Sequence, residues 1–133
     1  MQLIREINDK YTITSADKIS KYTDEFINED REHFIVLGLD TKNRVIYRDI
    51  VTIGTLNATI IHPREVFKKA CIMSCNSIIL VHNHPSGDPA PSEEDKKITK
   101  LLEQAGEILS IKVLDHIIIG SEGKYSFKEN NFI

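Results

Sequence analysis

The sequence lacks the features that would define several whole classes of protein. No stretch approaches the roughly 18 consecutive apolar residues of a membrane span. The first dozen residues, MQLIREINDKYT, contain no apolar core of a signal peptide. We therefore expect a cytoplasmic protein without membrane association. Because the sequence has no internal repeat, low-complexity tract or linker, we expect residues 1–133 to form a single domain.

Cysteine is scarce. The chain has two cysteines, Cys71 and Cys75, in the sequence CIMSC. A spacing of four places both on one face of a helix, which would suit a metal pair, but no further cysteine is present to complete a thiolate site. We therefore interpret them as two reduced, partly buried thiols.

Positive charge is not in excess either. The formal net charge is −3 and the sequence pI is about 5.9, whereas proteins that depend on phosphate contacts carry a basic surface. This disfavours nucleic acid as the main partner while leaving a local basic patch open. We interpret Lys96, Lys97 and Lys100 as a solvent-exposed helix face, because they lie off the apolar stripe of their predicted helix.

The residue patterns that are present predict an α/β fold: a mixed β-sheet flanked by helices. The predicted helices begin at Ser15, at Pro63 and after Ser92. The predicted strands are HFIVLGLD (33–40), RVIYRDIVTIG (44–54) in a hairpin with it, NATII (57–61), SIILVH (77–82), KVLDHIIIG (112–120) and KYSF (124–127).

The stretch VHNHPSGDPAPSEED carries the strongest chemical signal. Side chains alternate along a strand, so His82 and His84 share one side and Asn83 points to the other. Pro85 cannot continue a ladder, so the strand ends there. Both histidines therefore lie at the carboxyl end of a strand, where open α/β sheets tend to bind ligands.

An acidic helix start follows the histidines. Ser92 is a good N-cap, and Glu94 and Asp95 both point within about 60° of the centre of the helix's apolar stripe. Two imidazole nitrogens and one carboxylate oxygen would make a three-ligand site with an open fourth position, which is typical of catalytic zinc. The alternative is an ordinary helix start beside two half-buried histidines. Periodicity does not choose between Glu94 and Asp95.

The spacing of these residues resembles the JAMM motif of the MPN/JAB metalloprotease superfamily: His-x-His is followed by ten intervening residues and Asp, with Ser three residues before that Asp. The sequences HNHPSGDPAPSEED, GTLNATIIHPREVFKKA and LDHIIIG resemble the RadC branch more narrowly. The resemblance implies a cytidine-deaminase-like (JAB/MPN) sandwich with its core at about 30–128 and an N-terminal extension, 1–29, that contains one helix. It also implies a Zn²⁺ site formed by His82, His84 and Asp95.

The resemblance further implies a catalytic glutamate upstream, and Glu32 matches best because it comes one residue before the first core strand. Glu65 and Asp49 are the alternatives. Ser92 has two compatible roles: its hydroxyl can cap the helix, and the matching serine of the family helps to hold an oxyanion.

We therefore predict a zinc-dependent hydrolase that cleaves a peptide or isopeptide amide bond and acts on a peptide or protein substrate. The alternatives are a DNA-repair accessory protein of the RadC type and a metal-stabilised interaction module without turnover. RadC proteins usually carry a helical N-terminal region for which 133 residues leave no room, which lowers the expectation of DNA contact. The sequence does not indicate an oligomeric state.

The sequence LDHIIIG places Asp115 and His116 on opposite faces of an otherwise apolar strand. Buried polar groups are costly unless they are hydrogen-bonded. We interpret Asp115 as a satisfied buried acid. The alternative is a carboxylate that orients a zinc-bound imidazole.

Overall fold

The structure is a computed structural model that describes residues 1–3, 12–13 and 15–133. Within those ranges, six strands form one sheet in the order β1-β3-β2-β4-β5-β6. The elements are β1 (Gln2–Leu3), α1 (Ser20–Thr23) between 3₁₀ turns at Ala16–Ile19 and Asp24–Phe26, β2 (His33–Leu39), β3 (Val45–Ile53), α2 (Pro63–Ile72), β4 (Ser77–Asn83), α3 (Glu93–Leu109), β5 (Lys112–Gly120) and β6 (Gly123–Ser126). None of the described helices is both long enough and apolar enough to cross a bilayer.

The sheet is mixed, as the sequence predicts. Strand β2 pairs antiparallel with both β3 and β4, and β5 pairs antiparallel with β6. Strands β4 and β5 are parallel. Parallel neighbours need a long crossover connection, and α3 supplies it. The crossover starts at the carboxyl end of β4, which carries the histidine pair, so the topology brings the start of α3 to that end of the sheet.

The central strands are buried on both faces. All seven residues of β2 and all seven of β4 are buried, which explains why HFIVLGL and SIILVHN read as nearly continuous apolar runs. Phe34 and Leu80 pack in a cluster with residues of α2 and α3. Ile35 and Val81 pack in a second cluster with the N-terminal segment. Helices therefore cover one face, and Ile13 together with residues 16–27 contributes to the cover of the other.

The predicted helix starts at Pro63 and after Ser92 are confirmed. Pro63 occupies the first turn of α2, where the missing N–H leaves no hydrogen bond unmade. Ser92 is the N-cap of α3, and its side chain accepts a hydrogen bond from the Asp95 N–H.

The prediction of one continuous helix from Ser15 is wrong, because a short α-helix lies between two 3₁₀ turns. Ser15 precedes the first 3₁₀ turn without a side-chain capping bond, and only Ser20–Thr23 is α-helical. Thr23 has φ −133°, outside the helical region, and its hydroxyl bonds to the Ile19 carbonyl at 3.2 Å, which competes with regular helix. The extent of the N-terminal extension stays a prediction, and residues 4–11 and 14 lie outside the described part of the chain.

The strand predicted for NATII is wrong. Residues 58–60 form a turn, in which the Asn57 side chain accepts a hydrogen bond from the Thr59 N–H at 2.9 Å. The Ile60 N–H bonds to the Asn57 carbonyl at 3.3 Å. An asparagine that bonds to the backbone two residues on favours a turn over a strand, and this effect outweighs the β-branched residues that follow it.

Candidate metal centre

The two histidines of the HNH sequence meet at the carboxyl end of β4. His82 is fully buried, and its Nε2 lies 3.1 Å from Nε2 of the half-buried His84. The other nitrogen of His84, Nδ1, donates to the Asp88 carbonyl at 2.9 Å. A carbonyl can only accept, so Nδ1 of His84 carries a proton and Nε2 of the neutral ring presents a lone pair.

The first turn of α3 brings a carboxylate to the same point. Asp95 Oδ2 accepts the Ser92 N–H at 2.8 Å while Ser92 Oγ accepts the Asp95 N–H at 3.1 Å, a capping box. Asp95 Oδ1 lies 3.3 Å from His82 Nε2, and Oδ2 lies 3.2 Å from His84 Nε2. Glu94, which periodicity left as an alternative, instead accepts a hydrogen bond from the Ala58 N–H at 3.2 Å.

The spacing of these atoms fits a small divalent cation. His82 Nε2, His84 Nε2 and the Asp95 carboxylate are 3.1–3.3 Å apart. In a tetrahedral zinc site with bonds of about 2.0–2.1 Å, neighbouring ligand atoms are about 3.3–3.4 Å apart. The three groups are therefore spaced almost as one face of such a tetrahedron, and nitrogen with carboxylate oxygen is a donor set that zinc accepts.

The electrostatics of the cluster also favour a cation. Burial opposes the charged form of Asp95, yet the imidazoles of His82 and His84 and the Ser92 N–H together hold the pKa of its carboxyl well below the usual range. The contact with Asp95 raises the pKa of His84, although partial burial acts in the opposite direction. Asp95 thus keeps its negative charge in a buried position, and a positive charge beside it is stabilising.

Glu32 lies beside the histidine pair. Candidate ligand atoms of Glu32, His82 and His84 all lie within 4.8 Å of one another, so these three residues could also hold a metal ion. Glu32 Oε2 accepts the Leu56 N–H at 2.7 Å, which leaves Oε1 free of that bond. The catalytic role of Glu32 stays a prediction, and the structure adds the alternative that it is a ligand.

The other two candidate acids are engaged elsewhere. Asp49 forms an ion pair with the amino group of Met1 at 3.3 Å. Glu65 is exposed on the first turn of α2 and lies 3.9 Å from Arg64. Neither residue is grouped with His82 or His84 among the described metal-ligating side chains.

Asn83, between the two histidines, holds the segment that carries Glu32. Its Oδ1 accepts the His33 N–H at 2.6 Å, and its Nδ2 donates to the Arg31 carbonyl at 3.0 Å. These are the residues on either side of Glu32, so one buried amide fixes both flanks of the glutamate relative to β4. The three-residue HNH sequence therefore places two histidines directly and a glutamate indirectly.

Replacing Asn83 with alanine is expected to lower the free energy of unfolding by about 1–3 kcal/mol, because it leaves the buried His33 N–H without a partner, whereas the Arg31 carbonyl keeps its bond to the His33 ring at 3.0 Å. Zinc binding should persist, since His82, His84 and Asp95 are unchanged. Thermal denaturation and zinc titration measure the two effects. Exposed Asn76 is the matched control, and Asn76→Ala should change stability by less than about 0.5 kcal/mol. Equal stability of the two variants would contradict the clamping role.

Two glycines fix the loop that follows His84. The Gly87 N–H bonds to the His84 carbonyl at 2.9 Å, and the Gly87 carbonyl accepts the Glu122 N–H at 3.0 Å. Gly87 has φ +91°, and a Cβ on Gly120 would lie 2.3 Å from the Gly87 oxygen. Only glycine permits this approach of the loop to the β5–β6 turn, which explains the Ser-Gly after the histidines.

Strand β5 supplies a third histidine to the centre, and sequence analysis did not assign it. His116 is fully buried, and its Nε2 lies 2.8 Å from His82 Nδ1. Burial and the neighbouring His82 hold the pKa of His116 well below its usual value. The signal available in the sequence was a histidine within an otherwise apolar strand.

Asp115 is satisfied by groups other than the metal-site histidines. Burial raises the pKa of its carboxyl, which accepts hydrogen bonds from the Ser126 hydroxyl at 2.6 Å and from the Lys128 N–H at 3.0 Å. A third bond comes from the His116 N–H at 2.7 Å. These contacts agree with a satisfied buried acid, and none of the three comes from an imidazole ring nitrogen that Asp115 could orient.

The cysteines belong to a different part of the fold. Cys71 is exposed and Cys75 is buried, and both are free thiols. Burial raises the pKa of Cys75 to about 11, so this thiol is protonated at neutral pH. Two free thiols agree with the interpretation from the sequence, but the expected partial burial is wrong for Cys71, which is exposed.

The structure defines an α/β domain with a candidate metal centre. A mixed sheet is flanked by helices, two histidines lie at the end of a strand, and acids from adjoining segments lie beside them. The chain belongs to the RadC-like JAB domain family, whose family model matches residues 13–132. It is 59% identical over 104 residues to a UPF0758 protein of Chlorobium phaeovibrioides, an alignment that covers 78% of this chain and 47% of the relative. It is 50% identical over 129 residues to a UPF0758 protein of Geobacillus thermodenitrificans, covering 95% and 56%. The chain therefore spans about half the length of these curated relatives.

Proposed function

We propose that the chain is a zinc-dependent hydrolase of the JAMM type that cleaves a peptide or isopeptide amide bond. The observation that carries this proposal is the convergence of His82, His84 and Asp95 at separations of 3.1–3.3 Å. Three protein ligands leave a fourth position for water or substrate, which is the pattern of catalytic rather than structural zinc. Zn²⁺ supplies Lewis acidity, which makes water a stronger nucleophile at neutral pH and polarises a carbonyl group.

Glu32 is assigned the proton transfer. Its Oε2 is held by the Leu56 N–H, which fixes the carboxylate while Oε1 remains available. The carboxylate takes a proton from the attacking water and later delivers it to the leaving amine, the work of a general base that becomes a general acid. A fixed carboxylate suits this task because misplacement of a catalytic group by about 1 Å can cost about 100-fold in rate.

Ser92 is assigned to the oxyanion. Its Oγ accepts the Asp95 N–H at 3.1 Å in the helix cap. Since a hydroxyl both donates and accepts, the Ser92 hydrogen remains free to donate to a carbonyl oxygen that gains negative charge. Helix capping and oxyanion support therefore use different sides of one hydroxyl group.

A peptide or protein substrate is part of the proposal, whereas no specific observation favours nucleic acid. The candidate basic face of α3 is internally paired: its three lysines each lie 3.3–3.5 Å from a glutamate on the same helix. Exposed pairs of this kind neutralise a local field. The cytoplasmic setting expected from the sequence accords with the two free thiols.

The test is the zinc content and hydrolytic activity of the purified 133-residue chain. We expect about one zinc per chain and turnover of isopeptide-linked or peptide substrates that a chelator stops and added Zn²⁺ restores. A chain without stoichiometric zinc would overturn the proposal. If chelation lowers the melting temperature while a broad substrate panel gives no zinc-dependent product, the interaction module without turnover replaces it.

A further inference from the structure

A relay of buried hydrogen bonds, formed by Thr99, His116 and His82, runs from α3 through β5 to the candidate metal centre. The Thr99 hydroxyl lies 2.8 Å from the Asp95 carbonyl and 2.6 Å from Nδ1 of His116. Nε2 of His116 lies 2.8 Å from Nδ1 of His82. Thr99, His116 and His82 are all fully buried, so water does not compete for these bonds.

The direction of each bond follows from donor and acceptor chemistry. The Thr99 hydroxyl donates its single hydrogen to the Asp95 carbonyl four residues back, and that carbonyl can only accept. The Thr99 oxygen must then accept from His116, which places a proton on Nδ1 of His116. The His116 ring is neutral, because it is fully buried and its two nitrogens have no carboxylate among their hydrogen-bonding partners. Its Nε2 therefore accepts, and Nδ1 of His82 donates to it.

We propose that Thr99 and His116 are positioning residues that fix the tautomer of His82 so that its Nε2 lone pair faces His84 and Asp95. This inference rests on the metal site of the proposed function. The opposite setting, with protons on Nε2 of both His82 and His116, would block the ligand atom. The hydrogen bond between the two imidazoles is compatible with either arrangement of protons. By accepting from Nδ1 of His116, the Thr99 hydroxyl selects the arrangement that leaves Nε2 of His82 unprotonated.

Aromatic packing keeps the relay in one orientation. The Phe127 ring stacks on His116 with centroids 4.7 Å apart and planes 6° apart. Phe34 contacts His116 edge-on at 5.9 Å and stacks loosely on His82 at 6.2 Å. Because both imidazoles are held by rings from β2 and from the residue after β6, their nitrogens cannot exchange places by a ring flip without moving the core.

The relay also joins two candidate ligands. It begins at the main-chain carbonyl of Asp95 and ends at the ring of His82, whose Nε2 lies 3.3 Å from the Asp95 carboxylate. A change at Thr99 should therefore alter metal binding although its side chain touches neither ligand side chain. In known metal sites, partners of this kind change metal affinity by about 10- to 100-fold when they are removed.

The first test is Thr99→Val, which keeps the branched shape and removes the hydroxyl. We expect zinc affinity, measured by competition with a chromophoric chelator, to fall by about 10- to 100-fold, and Thr99→Ser to restore it. Thr23→Val is the matched control, because Thr23 is also fully buried and its hydroxyl also bonds to the carbonyl four residues back. Equal zinc affinity of Thr99→Val and Thr23→Val would overturn the proposal.

The second test needs neither metal nor variant. In the zinc-free wild-type chain at mildly alkaline pH, long-range ¹H–¹⁵N spectra should show His82 and His116 each protonated on Nδ1, and His116 unprotonated on Nε2. A proton on Nε2 of His116 would overturn the relay. Failure of the wild-type chain to bind zinc would remove the proposed function instead, and the tautomer measurement would still decide the relay.

Discussion

Replacing Glu32 with glutamine is expected to reduce hydrolysis by about 100- to 10,000-fold, the usual contribution of a positioned general base, and to leave zinc bound. Glutamine keeps an oxygen that can accept the Leu56 N–H, which Glu32 Oε2 accepts at 2.7 Å, so the loop and the site should keep their shape. Its amide cannot take up a proton at neutral pH. The measurements are kcat/KM on a zinc-dependent substrate and the zinc content of the same preparation.

The matched control is Glu94→Gln, because Glu94 also accepts a main-chain hydrogen bond from the segment after β3, at Ala58. This variant should keep activity within a few-fold. Unchanged hydrolysis in Glu32→Gln would exclude Glu32 as the base. Loss of zinc together with activity would instead identify Glu32 as a ligand, which the spacing of its carboxylate to His82 and His84 permits.

The elements that frame the site follow from local sequence. Strands β2 and β4 are apolar runs because both of their faces are covered, and α3 begins after Ser92 because the capping box forms there. The prediction of one N-terminal helix is wrong where the backbone of Thr23 leaves helical geometry. The prediction of a strand at NATII is wrong where the Asn57 side chain closes a turn. Both failures occur where a short polar side chain bonds to nearby backbone, an effect that apolar periodicity does not detect.

Strand alternation sufficed to place His82 and His84 together, but helix periodicity could not select between Glu94 and Asp95. The position that decides is the third residue after the N-cap. A side chain there reaches back to the N-cap N–H, as Asp95 does to Ser92 at 2.8 Å, and this draws its carboxylate to the end of the helix that faces β4. The Ser-x-x-Asp pattern therefore contained the answer in physical terms, whereas apolar periodicity did not.

His116 could not be assigned from local sequence because its position depends on the register of two strands that are distant in the chain. In the parallel pair, His116 lies beside Leu80, and Ile118 lies beside His82. A shift of the register by one residue would turn His116 to the opposite face of the sheet and bring Asp115 to the centre instead. The apolar setting of this strand in the sequence indicates that its polar side chains need partners, but local sequence does not identify those partners.

Replacing Asp95 with asparagine is expected to weaken zinc binding by more than about 100-fold, beyond the effect of removing a partner that does not touch the metal. Asparagine retains an oxygen for the Ser92 N–H, so the helix cap should survive, while the negative charge that faces both histidines is lost. Zinc at about 100 times its dissociation constant should stabilise the wild-type chain by about 2.7 kcal/mol. The variant should show no comparable rise in melting temperature.

Asp88→Asn is the control for charge alone, because Asp88 is exposed in the loop that holds His84 and contacts that ring only through its main-chain carbonyl. It should keep the zinc-dependent rise in melting temperature. If Asp95→Asn also keeps that rise while Glu32→Gln loses it, the ligand set is Glu32, His82 and His84, and the predicted triad is wrong. The zinc-dependent rise in melting temperature therefore distinguishes the roles of Asp95 and Glu32. Replacing a ligand removes this rise because a ligand contributes to zinc affinity, whereas replacing a general base does not.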